Sequence, residues 1–295
     1  MKDKIQRIFT PGDQWLYYNI FCGYNTSDDI LINYLSPLTQ SFLSRNIIDQ
    51  WFFIRYNDPS YHIRYRVRIK NIAYTGEIIH AINNVLEQLL KDEYISKLQI
   101  DSYIREIERY GYNTIENAEN IFFHDSNNIL KIIASLDENK PNIRSLWGLK
   151  LVDFYLSTFR FSISEKVLFS EKLRNYFYNE FKVDKNTKKN LDRLYSDYQT
   201  SIHSFISNKD RKIYKSEIIK DVAKIVAIKE KNLLTVDFDS LISSFIHMSL
   251  NRLFVGDNRL HELVTYDLMW RYYKKEFYFS NHTTTHGTGT KRILS

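Results

Sequence analysis

The second half of the run from Trp51 to Ile69, WFFIRYNDPSYHIRYRVRI, alternates strictly between two kinds of side chain. His62, Arg64, Arg66 and Arg68 fall on one side of an extended chain, and Ile63, Tyr65, Val67 and Ile69 on the other. Period-two alternation of this kind predicts a β-strand with one buried face. The apolar run before it predicts a partner strand, joined through the turn residues Asn57-Asp58-Pro59-Ser60. Side chains two apart on a strand stand roughly 6.5–7 Å from each other. Three guanidiniums on one face therefore repel unless water screens them or an anion lies between them. A solvated sheet face is the plain alternative.

The remaining pattern supplies one more early strand and a series of helices. Trp15–Phe21 predicts an opening strand after the Pro11-Gly12-Asp13 turn. Ser27–Leu43 carries apolar residues at helical spacing, with Asp28 and Asp29 suited to a helix start. Glu77–Lys91 places Ile78, Ile79, Ile82, Val85, Leu86, Leu89 and Leu90 on one helical stripe. Leu98–Tyr112 reads as a strand leading into a tight element that ends at Gly111. Helices are predicted over Asn113–Leu136, Ser145–Phe161, Leu241–Phe254 and His261–Phe279, and helical period also runs through Ser164–Leu234. The lysines 182, 185, 188 and 189 in that section form a solvated face. The Thr-, Gly- and His-rich residues 280–295 read as a disordered tail.

With no internal repeat and no clear linker, residues 1–279 are expected to form a single domain. The fold class is α+β: a mixed, largely antiparallel sheet with packed helices and a helix-rich C-terminal half.

Composition narrows the picture little. A chain of 295 residues with 43% hydrophobic and 26% charged residues reads as globular. Its 22 Tyr and 19 Phe require rings packed with a polar end near water. The single cysteine, Cys22, lies among apolar residues and reads as a buried thiol, which excludes internal disulfides and thiolate metal clusters. No segment is long and apolar enough for a signal peptide or membrane span, so a cytoplasmic protein is expected. The net charge of +6 favours acidic partners, but basic and acidic residues are interspersed and no nucleic-acid module is legible. An acidic peptide or small carboxylates suit the charge equally well.

Several positions have the right residue types for chemistry. If Tyr103–Tyr110 is helical, Arg105 and Arg109 are one turn apart and Glu106 lies beside Arg109. That spacing fits a surface ion pair; it also fits a carboxylate that aims an arginine at an anion. His247 lies in a mostly apolar helix with Asn251 one turn on, as either a structural histidine or the best general acid or base available. Arg252 follows, and Glu262 is placed to hold a neighbouring arginine. His282 and His286 have metal-ligand spacing without a third ligand, and His124-Asp125-Ser126 are consecutive and so cannot form a triad alone. No phosphate loop, dinucleotide fingerprint or HExxH is present, and nothing in the sequence calls for a cofactor or metal.

In order along the chain, WLYYNIF at Trp15, WFFIRYNDP at Trp51, HIRYRVR at His62, YIREIERYG at Tyr103, IFFHDS at Ile121, HMSLNRLFVGD at His247 and HELV at His261 cover about 250 residues. Together they resemble the thiopeptide-type bacteriocin biosynthesis domain, the family of the C-terminal glutamate-elimination domain of class I lanthipeptide dehydratases and its free-standing relatives. The resemblance implies a lyase that removes glutamate from glutamylated Ser or Thr of a leader-bearing precursor peptide, leaving dehydroalanine or dehydrobutyrine. It implies a separate partner that glutamylates the peptide from glutamyl-tRNA, with no direct nucleic-acid contact and a homodimer as one possible assembly. Carried over residue by residue, the elimination residues fall on Arg64, Arg66, Glu106, Arg109 and His247. Arg55, His62, Arg105, Asn251, Arg252 and Glu262 are the expected supporting, substrate-binding residues.

Two rival readings stay open. Some relatives catalyse an aza-[4+2] cycloaddition between dehydroalanines, forming the pyridine ring of thiopeptides. Alternatively, the fold could carry a precursor peptide along a strand edge without catalysis.

Overall fold

Two antiparallel sheets carry the strands, and the larger of them is built around the alternating strand. A computed structural model of the chain describes residues 5–137, 140, 142–208 and 216–283. Strands β2 (Trp15–Cys22), β3 (Ile48–Asn57), β4 (Tyr61–Ile69) and β5 (Ile95–Asp101) form a four-stranded sheet in the order β3-β4-β2-β5. Every neighbouring pair is antiparallel. The short strands β1 (Ile8–Phe9) and β6 (Tyr103–Ile104) pair separately.

Register decides what each face of the larger sheet carries. On one face, Ile63, Tyr65, Val67 and Ile69 of β4 meet Leu16, Tyr18 and Ile20 of β2 and Trp51 and Phe53 of β3. All four β4 residues are fully buried, and each stabilises the fold by about 1.5–3 kcal/mol through removal from water. On the other face the register sets Phe52 and Tyr17 beside Arg66, Ile54 and Asn19 beside Arg64, and Tyr56 and Phe21 beside His62. The facing predicted from alternation is therefore observed.

The helices follow the predicted spacing, with two differences. The first helical stretch begins at Tyr24, as α1 (Tyr24–Asp29), passes through a π-helical turn over Ile30–Leu35 and ends as α2 (Ser36–Ser44). Asp28 and Asp29 therefore end α1 and do not start it; Asp28 faces arginines, as described below. Helix α3 (Thr75–Lys91) buries Ile78, Ile82, Leu86 and Leu89. The second difference concerns Tyr103–Tyr110, where only Ile107–Tyr110 is helical (α4), so Arg105 and Arg109 do not share a helix face. Gly111 ends α4 at φ +80°, where a Cβ would lie 2.5 Å from Thr114 Oγ1, so only glycine fits this turn.

Helices α5 (Ile115–Ala134), α6 (Ile143–Thr158), α7 (Ile163–Glu180), α8 (Lys185–Ser207), α9 (Ser216–Glu230), α10 (Phe238–Leu253) and α11 (Asn258–Thr283) complete the described chain. Helix α11 runs through residues 280–283, which the sequence pattern assigned to a tail; the rest of that expected tail lies outside the described residues. Among the described residues, no helix is long and apolar enough to cross a membrane.

The chain packs as two compact units. The first comprises Met1–Arg144 and Lys212–Asn258, and the second Ser145–Arg211 and Arg259–Ser295. Two of the crossings between them, at 144/145 and 258/259, fall within helices α6 and α11. The first unit holds both sheets, α10 packing on β3 and α4, and α5 packing on β3. The second is helical. At its centre the fully buried Asp267 accepts hydrogen bonds from Arg174 at 2.7 Å, Tyr178 at 2.6 Å and Arg271 at 2.6 Å. Burial and the Asp267 carboxylate both push the Tyr178 phenol up.

Candidate functional site

Arg66 projects from the centre of the four-stranded sheet into a cage of rings. Its guanidinium carbon lies 4.1 Å from the centroid of Tyr17, 5.0 Å from Tyr103 and 5.2 Å from Phe52. Tyr17 and Phe52 are its cross-strand neighbours, while pairing of β6 with β1 brings Tyr103 onto Trp15 and Phe52. The sequence reading placed Arg66 on an open face; it is 7% exposed. The aromatic residues of the neighbouring strands cover it, and their register could not be read from the chain alone. No carboxylate lies within ion-pair distance of Arg66 among the described residues, and its Nε has no hydrogen-bond partner there. Burial pulls this guanidinium below its ordinary range, partly opposed by Tyr17, Tyr103 and Glu106. Desolvating a charge without a partner costs several kcal/mol, so Arg66 is held in place at the expense of stability.

Arg64 extends the cationic strip. It stacks 3.5 Å over the Tyr56 ring, and its Nε donates to His62 Nε2 at 3.2 Å. His62 in turn donates from Nδ1 to the Ser60 carbonyl at 2.8 Å, a pairing that fixes the neutral tautomer. Burial, with help from Arg64 and Arg66, pulls the His62 imidazole below its ordinary range, so it acts as a rigid neutral acceptor. Arg68, the third arginine of the strip, is committed to Asp49 through two bonds of 2.7 and 2.9 Å.

Two hollows open on this face, one lined by each of the first two arginines. A groove of about 430 Å³ is lined by Arg64, His62, Asn19, Lys97, Asp101 and the Asp58-Pro59-Ser60 turn, among others. A smaller cavity of about 30 Å³ is lined by Arg66, Phe52, Tyr103, Glu106, Tyr110 and Arg252, among others.

Helices α4 and α10 bring in the remaining expected residues. Arg109 Nε donates to Ser244 Oγ of α10 at 3.0 Å, and its Nη1 reaches Glu106 at 3.3 Å. Glu106 thus lines the Arg66 cavity and touches Arg109. His247 lies one turn beyond Ser244 on α10, half-buried, and the adjacent Met248 lines the Arg66 cavity. Arg64, Arg66, Glu106 and Arg109 therefore form one neighbourhood, with His247 on the helix that bounds it.

The supporting residues divide differently from the expectation. Arg55 points to the opposite face of the sheet, toward α1. It donates to Asp28 at 2.6 Å, Ser27 at 2.6 Å, Tyr61 at 3.2 Å and the Arg252 carbonyl at 3.0 Å. Burial would raise the Asp28 carboxyl, but Arg55 and Arg144 outweigh it and hold the group below its ordinary range. Asn251 bonds both backbone groups of Arg55, at 2.9 and 2.8 Å. With Ser126 on the Phe53 amide and Arg252 on the Phe53 carbonyl, it caps this edge of β3 and leaves those positions closed to an added strand. Arg105 makes a two-bond pair with the buried Glu119, at 2.7 and 2.6 Å, and has no place in either hollow. Glu262 lies on α11 in the second unit, 3.7 Å from Arg259. Arg55, Asn251, Arg105 and Glu262 thus each have a carboxylate, hydroxyl, backbone group or cation of the protein as a partner.

Of the other sequence candidates, Asp125 pairs with Arg252 at 2.9 Å and Ser249 at 2.8 Å, so the His124-Asp125-Ser126 run serves packing. Burial raises the Cys22 thiol to about 11, which keeps it protonated. His286 lies outside the described residues. Sequence reasoning missed Tyr17, Phe52 and Tyr103 around Arg66, Ser244 behind Arg109, and Lys97 and Asp101 in the groove. Only the second strand partner of β2 could have announced the last two.

A family model described as lantibiotic biosynthesis dehydratase C-term matches residues 15–273. The chain is 28% identical over 281 residues to the nisin biosynthesis protein NisB of Lactococcus lactis subsp. lactis, covering 91% of this chain and 26% of that protein. It is 27% identical over 276 residues to the subtilin biosynthesis protein SpaB of Bacillus subtilis, covering 88% of this chain and 25% of that protein. The chain thus spans about a quarter of the length of these curated relatives. Among solved structures, the tRNA-dependent lantibiotic dehydratase MibB from Microbispora sp. 107891 shares the fold with a TM-score of 0.70 at 16% identity, over 93% of this chain and 29% of that one. The pyridine synthase TbtD from thiomuracin biosynthesis shares it with a TM-score of 0.64 at 10% identity, over 90% of this chain and 100% of that one. With the family model matched along nearly its whole length, this chain belongs to the lantibiotic biosynthesis dehydratase C-terminal family.

Proposed function

We propose that this chain is a lyase that eliminates glutamate from glutamylated Ser and Thr residues of a leader-bearing precursor peptide, acting in the cytoplasm after a separate glutamylating dehydratase. The observation that carries the reading is Arg66, a buried guanidinium surrounded by rings with no carboxylate partner among the described residues. In the elimination, a base takes the α-proton and the Cα–H pair becomes the Cα=Cβ bond. The Cβ–O bond breaks, and its electrons leave with the glutamate carboxylate. Charge grows on the amide oxygen next to the α-carbon and on the departing carboxylate. Cations held in place beforehand stabilise both without reorganising at the moment of reaction. Arg66 and Arg64 meet that requirement on the sheet; Arg109, steadied by Glu106 and Ser244, meets it from α4. His247 carries the proton.

A second reading is cycloaddition between dehydroalanines. One observation favours it: TbtD is matched over 100% of its length, so the two folds are similar in extent. Incubating the chain with a glutamylated peptide, and separately with its dehydrated form, distinguishes the readings by mass. Loss of glutamate from the first supports elimination. Ring formation with leader expulsion from the second, and no change in the first, rejects it.

A further inference from the structure

Three residues from three different elements line the small cavity beside Arg66, and each carries a buried polar atom without a partner. They are Arg66 of β4 (Nε), Tyr110 of α4 (the hydroxyl) and Arg252 of α10 (Nη2). Their exposures are 7%, 2% and 1%. Buried polar atoms in native proteins are nearly always hydrogen-bonded, so three such atoms around one hollow point to a missing acceptor. The arginine atoms can only donate, and the phenol can donate to the same acceptor.

Charge selects the kind of acceptor. Arg252 is paired with Asp125 at 2.9 Å, and its Nε holds the Phe53 carbonyl at 2.8 Å, but Arg66 has no such carboxylate. Glu106 also lines the cavity but is paired with Arg109 at 3.3 Å, so Arg66, Arg109 and Arg252 set against Glu106 and Asp125 leave one positive charge over, which water does not neutralise. A carboxylate does, and its two oxygens offer about four lone pairs to the converging donors. At about 30 Å³ the cavity holds one or two water-sized groups, enough for a carboxylate head and too small for a whole glutamyl group. The rings of Phe122, 5.0 Å from the Arg252 guanidinium, and Tyr103, 5.0 Å from that of Arg66, help to keep it dry.

We propose that Tyr110 and Arg252 join Arg66 in a buried seat for one carboxylate of the glutamyl adduct. Which adduct it receives rests on the elimination reading; the seat itself does not. Two carboxyl groups of the adduct share this chemistry: the free one, and the one released as the Cβ–O bond breaks.

The test is Tyr110→Phe in the full chain. The ring, packed 4.9 Å from Phe122 and 5.7 Å from Phe245, is kept, and only the unpartnered hydroxyl is lost, so the fold is retained. Calorimetric titration with sodium acetate and with L-glutamate should show saturable binding to the parent, weakened about 10- to 100-fold in the variant, as expected for one hydrogen bond to a charged group. With glutamylated peptide, a fall in kcat at constant KM assigns the seat to the departing carboxylate; a rise in KM at constant kcat assigns it to the free one. Equal binding by parent and variant, or none by the parent, overturns the seat. Binding that depends on Tyr110 in a protein that turns over no glutamylated peptide keeps the seat and rejects elimination.

Discussion

Arg55 and Arg66 lie on neighbouring strands of one sheet, both buried, on opposite faces, and only one of them has a carboxylate. Arg55 spends its guanidinium on Asp28, Ser27, Tyr61 and a backbone carbonyl, tying β3 to α1 and to the end of α10. Arg66 is held by the faces of Tyr17, Phe52 and Tyr103. Aromatic faces fix the position of a cation without using up its N–H donors, whereas a carboxylate does both. The same residue type is therefore a structural clip in one place and a buried charge without a carboxylate in the other.

Removing the two charges at near-constant volume should separate these roles. Arg55→Met leaves Asp28 with Arg144 alone and strips the donor from Ser27 and the Arg252 carbonyl, and should destabilise the fold by about 1–3 kcal/mol, read from denaturant unfolding. Arg66→Met removes an uncompensated buried charge, so stability should hold or rise. Its elimination rate on a glutamylated peptide should fall about 10²–10³-fold, the loss expected for one preorganised donor. Equal destabilisation by the two changes would remove the distinction between the faces.

Acid sharpens the comparison through His62, on the Arg66 face. Its folded pKa lies below the unfolded one, because burial and the neighbouring arginines disfavour its charged form. Stability should be fully present above about pH 6.5 and decline as pH falls toward the depressed folded value, since the unfolded chain then binds a proton that the folded chain refuses. The slope is at most about 1.4 kcal/mol per pH unit for each such histidine. His124, also depressed by burial, adds to it. Thermal melts across this range, compared with His62→Gln, should show a flatter slope in the variant.

The smallest effect on stability belongs to the exposed pair Glu106–Arg109, 3.3 Å apart with side chains 57% and 37% exposed. Glu106→Gln should change unfolding free energy by no more than about 0–1 kcal/mol. Slower turnover at unchanged stability would identify Glu106 as a positioning residue. Unchanged turnover would reduce it to a surface ion pair.

Local pattern served well where a single element carried the information. The alternation of β4, the stripe of α3 and the turn at Gly111 all appear where periodicity and glycine placed them. It failed at Arg105, whose expected helix face depended on a helix that starts only at Ile107. It could not name the partners of Arg55 and Asn251, and for Glu262 it indicated an arginine without saying which one. Asp28, the Arg55 backbone and Arg259 claim those groups, and none of these pairings follows from spacing along the chain.

The sequence by itself determined which side chains share a face, because a strand turns successive residues to opposite sides and a helix repeats about every 3.6 positions. Its motifs also sufficed to indicate the family. Tertiary structure alone decided which arginines are neutralised. Asp28, Glu119 and Asp125 reach Arg55, Arg105 and Arg252 only through packing of distant segments, and β-sheet register sets rings beside Arg66. Burial then makes that allocation count, since a charge removed from water must find its compensation among whatever the fold has placed next to it.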